Sequence, residues 1–111
     1  MQRTAVAFQS TPDGHWIVVD NAARRVFVDG QERHLTPTEF QLLTVFWAFR
    51  GYLVPTDWLR ELIWPEYIPN STFRAHISQL RKKLAPLNPV RVERKLNAYR
   101  SEFGTNGRKP T

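Results

Sequence analysis

The chain has 111 residues, 41% of them apolar, and fourteen aromatic side chains (four Trp, three Tyr, seven Phe), enough for one compact core and little more. It has no cysteine and no apolar run near the ~20 residues of a membrane span, which excludes a disulfide framework, a thiolate metal site and a transmembrane helix. The net charge of +6 is split: residues 1–69 carry six Lys/Arg against eight Asp/Glu, and residues 70–111 carry ten Lys/Arg against Glu93 and Glu102 alone, a polarity suited to a polyanion docked on the rear half.

The opening "MQRTAVAFQS" lacks the continuous apolar segment of a secretion signal, so a cytoplasmic setting is expected. Within residues 1–14, "TAVAFQ" reads as an extension or edge strand. "HWIVVD" is bounded by Pro12-Asp13-Gly14 and by Asp20-Asn21, which marks a strand. "RRVFVD" alternates, with Val26 and Val28 on one face and Arg25 and Phe27 on the other. Asp29-Gly30 supplies a hairpin turn and "QERHL" runs back, completing an antiparallel meander of three or four strands.

At Thr36 the period changes. "TPTE" places Thr36 at an N-cap, Pro37 at the first helical position and Glu39 three residues after the cap, a capping box with φ preset at its start. Phe40, Leu42, Leu43, Phe46, Trp47 and Phe49 follow at mixed three-and-four spacing, predicting a heavily buried first helix that Gly51 closes in a left-handed conformation. "YLVP" is a short extended piece, and Thr56-Asp57 opens a second helix that runs to Trp64 and stops at Pro65. After the loop "PEYIPN", Asn70 or Ser71 is expected to cap a third helix that ends before Pro86. "VRVERKLNAYRSEF" reads as a closing β-hairpin, and residues 104–111 as a flexible basic tail. The fold class is therefore α+β, with residues 15–103 as the folded domain.

The third helix carries the functional signal. Phe73, Ile77, Leu80 and Leu84 form one apolar stripe, and Ser71, Ala75, Ser78 and Lys82 share the same spacing on the opposite face. Small residues keep that face low while Arg74, Arg81 and Lys82 reach outward, and the helix has no acid. A helix so shaped fits the ~12 Å major groove of DNA. A solvated cationic face with no partner is the plainer reading. An enzyme is not supported: His15, His34 and His76 are scattered, and no HExxH, Gly-rich phosphate loop or nucleophile elbow occurs. No cofactor is implied.

"LTPTEFQLL", "GYLVPTDWLRELIW", "TFRAHISQLRKKL" and the terminal "YR" together resemble the winged-helix DNA-binding domain of OmpR/PhoB-type bacterial response regulators, over Trp16 to Phe103. The resemblance implies a winged helix-turn-helix: an antiparallel sheet, three helices and a C-terminal hairpin wing spanning 90–103. It implies double-stranded DNA as partner, transcription regulation as role, and the bacterial nucleoid as location. It makes the third helix the recognition helix, with Thr72, Arg74, Ser78 and Gln79 at base-contacting positions. Arg74 suits guanine O6/N7 and Gln79 suits adenine. Ser71, His76, Arg81, Lys82 and Lys83 match phosphate-contacting positions, joined by Trp64 through its indole N–H and by Thr38 at the first helix's N-terminus. The wing set is Arg91, Arg94, Lys95, Asn97, Tyr99 and Arg100.

Two departures stand out. The family wing carries Arg-Gly-x-Gly-Tyr-Arg, where this chain has Lys95-Leu96-Asn97-Ala98-Tyr99-Arg100, which predicts a reshaped turn with Asn97 as its left-handed residue. The "PEYIPN" loop, which in the family can touch RNA polymerase, is shorter than usual. A receiver domain precedes the winged helix in such regulators, and about fifteen residues precede the sheet here, as expected of an excised domain or of a stand-alone regulator controlled by abundance or a partner. The resemblance also implies tandem dimers on direct repeats. The competing function is a protein-interaction module on the same fold, binding another regulator or RNA polymerase, with surplus Trp and Tyr as its surface.

Overall fold

The computed structural model describes residues 6–10 and 14–103. Strands β1 (Val6–Ser10), β2 (Trp16–Asp20), β3 (Arg25–Val28) and β4 (Gln31–Arg33) form an antiparallel sheet in sequential order. The expected edge strand is thus present, with Val6 opposite Asp20 and Ser10 opposite Trp16. Alternation does the sorting: Ile17, Val19, Val26 and Val28 are buried on one face. The β3–β4 turn has consecutive left-handed residues, Asp29 (φ 50°) and Gly30 (φ 84°), the geometry that matches strand twist. Asp29 also holds the sheet's entrance, its Oδ1 accepting the Trp16 N–H at 3.0 Å and its Oδ2 lying 2.7 Å from His15 Nδ1.

Helix α1 (Pro37–Ala48) begins with the predicted capping box. Thr36 Oγ1 accepts the Glu39 N–H at 3.1 Å and Glu39 Oε1 accepts the Thr36 N–H at 2.9 Å. Phe40, Leu42, Leu43 and Phe46 are buried as predicted, whereas Phe49 lies beyond the helix and is exposed. The helix closes earlier than Gly51, because tight bonds from Arg50 N–H to Trp47 and from Tyr52 N–H to Phe49 take over. Gly51 is left-handed (φ 86°), two residues past the cap, and its N–H reaches the Ser101 carbonyl at 2.9 Å.

Helix α2 (Thr56–Ile63) and helix α3 (Asn70–Leu84) follow. The expected cap on α3 is corrected: Asn70 and Ser71 are already helical, Pro69 occupies the cap position, and no side chain caps the helix. Asn70 Oδ1 is instead taken by Arg60 Nη1 at 2.8 Å. The short extended piece before α2 is strand β5 (Leu53–Pro55), which joins β6 (Val90–Glu93) and β7 (Ala98–Ser101) in a second antiparallel sheet of order β5-β7-β6. Phe46, Leu42, Leu43, Leu59, Leu80, Leu84, Leu87 and Phe103 pack the core where helices and sheets meet. Ser101 Oγ donates to the Phe46 carbonyl at 2.6 Å, tying the hairpin to α1.

Candidate nucleic-acid interface

Phe73, Ile77, Leu80 and Leu84 are all buried, so the predicted stripe anchors α3. Ser71, Thr72, Arg74, Ala75, Ser78, Gln79 and Lys82 are exposed, and His76 and Arg81 are half-buried. Among the described residues, the cationic back of the helix is therefore open rather than covered. Arg74, Arg81 and Lys82 make no ion pair or hydrogen bond within the described residues. Some cations elsewhere are engaged: Arg25 forks onto Glu32 at 3.0 and 3.1 Å, and Arg91 binds Glu102 at 2.8 Å.

A groove of about 870 Å³ runs along one flank of α3. Arg74, Ser78, Arg81 and Lys82 form one wall; Thr56, Asp57, Glu93, Arg94 and Asn97 stand opposite. Asp57 and Glu93 keep it from being uniformly basic, although Glu93 is turned to Arg100 at 3.9 Å. At 3.6 residues per turn, Thr72, His76, Gln79 and Lys83 fall on the other flank. There His76 packs at a tilt of 43° against Trp64 with ring centroids 5.3 Å apart, and Trp64 meets Phe73 edge-on at 5.6 Å. The predicted residues thus divide between two flanks of one helix.

Four of them, Lys83, Thr38, Tyr99 and Arg91, sit apart from the open face. Lys83 Nζ donates to Glu39 Oε1 at 2.7 Å, joining the C-terminal turn of α3 to the capping box of α1, where Thr38 also lies. Glu39 is only 3% exposed. Burial alone would raise its pKa, but the Lys83 ammonium and the Thr36 N–H outweigh it and hold the carboxyl below its ordinary 4.5. Tyr99 is 7% exposed, its ring between Phe46 and Phe73 at 6.1 and 6.0 Å, so it belongs mainly to the core. Burial pushes its phenol up, while Arg74 and Arg81 nearby pull the other way. Arg91 is held by Glu102.

The wing turn is reshaped as expected. A short 3-10 turn, Arg94–Leu96, leads into Asn97, which takes the left-handed conformation (φ 51°, ψ 53°). Arg94 and Lys95 are exposed and unpaired within the described residues, whereas Arg100 faces Arg91 across the strands and lies 3.9 Å from Glu93.

Sequence reasoning missed Arg60. Besides Asn70, its guanidinium donates to the Ile68 carbonyl, and it lies over the Phe73 and Tyr67 rings at 5.2 and 5.5 Å. It clamps the α2–α3 loop and so sets where α3 begins. No local pattern marks it, since each partner lies seven or more residues away.

A buried-stripe helix with an open cationic back, following a second helix across a short loop and flanked by a hairpin, defines the class: a winged helix-turn-helix domain. Solved structures carry the same fold. The RstA DNA-binding domain of Klebsiella pneumoniae, solved in complex with the RstA box, superposes with a TM-score of 0.71 at 18% identity, covering 88% of this chain and 97% of that one. The DNA-binding domain of CpxR from E. coli gives 0.67 at 24% identity, covering 80% and 92%.

Residues 30–97 match the family model described as "Transcriptional regulatory protein, C terminal". The chain belongs to that family, the OmpR/PhoB-type DNA-binding effector domains of transcriptional regulators, which are not enzymes. The transcriptional regulatory protein KdpE of Mycobacterium tuberculosis is 41% identical over 68 residues, covering 60% of this chain and 30% of that protein. The regulatory protein VanRc of Enterococcus gallinarum is 42% identical over 57 residues, covering 50% and 25%. The chain thus spans about a third or less of the length of these relatives. No helix among the described residues is long and apolar enough to cross a membrane.

Proposed function

We propose that this domain binds double-stranded DNA sequence-specifically and regulates transcription in the bacterial cytoplasm, at the nucleoid, with α3 in the major groove and the wing over the flanking backbone or minor groove. The carrying observation is the exposed face of α3, whose Arg74, Arg81 and Lys82 have no partner within the described residues. Arg74, Ser78, Thr72 and Gln79 read base edges, and Ser71, His76, Arg81, Lys82 and the Trp64 indole hold phosphates. Arg94, Lys95 and Asn97 are the wing's contributors. Lys83, Tyr99 and Arg91 are engaged within the protein and contribute less. Dimers on direct repeats would extend the same contacts to a second half-site.

Neutralising four to six phosphates gives a slope of log K against log salt of about −4 to −5. An anisotropy titration on random duplex DNA is expected to show that steep loss of binding. Flat or absent binding at low ionic strength would instead support the protein-interaction reading. One observation favours a protein partner, RNA polymerase or another regulator, alongside DNA. Asp57, Trp58, Glu61, Leu62, Glu66 and Tyr67 leave an exposed acidic and apolar strip on α2 and the loop after it.

A further inference from the structure

The wing turn is where this chain departs most from its family's pattern, and the contacts above leave its most conspicuous side chain unused. Leu96 is 60% exposed at the end of the Arg94–Leu96 turn, apolar and without shelter in the fold. Its backbone is held firmly. The Asn97 N–H donates to the Arg94 carbonyl at 3.1 Å, and the Asn97 carbonyl accepts the Thr56 N–H at 2.9 Å, pinning the tip to the first residue of α2. Arg94 and Lys95 beside it point to an anionic surface, and Arg94 and Asn97 form the wall that faces Arg74, Ser78 and Arg81.

We propose that Leu96 is an apolar wedge for the DNA minor groove. The inference rests on the DNA-binding reading. With α3 in the major groove, the cleft between α3 and the wing, about 870 Å³ and lined by Arg74, Arg81 and Arg94, straddles one sugar-phosphate strand. Leu96, just beyond the far wall, then presses into the neighbouring minor groove while Arg94 and Lys95 grip its edges. A leucine offers no hydrogen bond, so it reads no base edge. It reads deformability: apolar side chains enter between base steps that unstack readily, above all pyrimidine–purine steps, and kink the duplex. Selectivity then arises at a position that α3 never touches.

The test uses a short duplex selected from random DNA by the wild-type protein, with end-attached dyes reporting the bend and anisotropy reporting affinity across salt. Leu96→Ala is expected to lower affinity about five- to ten-fold and to reduce the bend. The salt slope should stay unchanged, because no phosphate contact is lost. Leu96→Met, which restores apolar reach, should recover both readouts. Replacing the pyrimidine–purine step under the wing by a stiff A-tract should weaken the wild type and leave Leu96→Ala indifferent. Wild-type affinity and bend in Leu96→Ala would overturn the wedge, and so would a weaker variant with a shallower salt slope, since its cations would then have moved. Failure of the wild type to bind any duplex is a different result and removes the DNA reading itself.

Discussion

Arg74 and Lys82 are both cations on α3, yet their surroundings differ, and the proposed DNA binding assigns them different work. Arg74 stands on the groove wall near the Tyr99 phenol, in the first half of the helix, where a guanidinium can fork onto one base. Lys82 is a flexible point charge near the helix end. Arg74→Ala is therefore expected to relax sequence choice at one base position, at a cost of about 1–3 kcal/mol for the preferred base. Lys82→Ala should weaken all duplexes alike and make the salt slope shallower by about one. Competition binding against single-base variants of a selected site checks both. A changed preferred base in Lys82→Ala would exchange the two roles. The residue scale also shows why charge alone misleads: Lys83 sits next to Lys82, and one step around the helix turns it onto Glu39.

At the scale of elements, the wing turn depends on one residue. Asn97 is left-handed, a conformation that costs an ordinary side chain about 1–2 kcal/mol and that Asn and Gly adopt more easily. Asn97→Ala is expected to lower stability by about 1 kcal/mol, and Asn97→Gly to stay within about 0.5 kcal/mol of wild type, in urea melts. The family's glycine-based turn and this Asn-based one thus solve the same backbone problem with different side chains. The capping box of α1 and the apolar stripe of α3 were readable in the sequence because both are local. Thr36 and Glu39 lie one turn apart, and Phe73, Ile77, Leu80 and Leu84 recur with the helical period. The start of α3 was not readable. Arg60 from the preceding helix takes Asn70, the residue that would otherwise cap it.

At the scale of the whole molecule, the acidic front is fastened to the basic rear by the ion pair of the nearly buried Glu39 with the half-buried Lys83, with Asp29 and Glu32 fastening the sheet. All three carboxyls have pKa values below ordinary. For Asp29 the Trp16 N–H leads, and for Glu32 the Arg25 guanidinium; for Glu39, burial opposes and the Lys83 ammonium prevails. A depressed native pKa means stability that is fully present above the unfolded value and lost as pH falls through the folded one. Thermal melts are expected to hold steady from pH 7 down to about 5 and to fall below the ordinary Glu value of 4.5. Glu39→Gln keeps a side chain able to complete the capping box and removes the titrating charge, so its acid limb should be shallower. An acid limb as steep as wild type would place that linkage elsewhere.

The sequence by itself determined the order of elements, the buried stripe of α3, the charge split between front and rear, and the left-handed residue of the wing. Each of these depends on residue type within a few positions, where period and backbone preference act. Only the tertiary structure decided which cations stay open. Lys83 meets a carboxylate 44 residues away, Val54 pairs with Tyr99 to build the second sheet, and Tyr99 slides between Phe46 and Phe73. Those pairings join residues far apart in the chain, and packing chooses them because an apolar ring or a nearly buried carboxylate must find its partner wherever the folded chain brings one within reach.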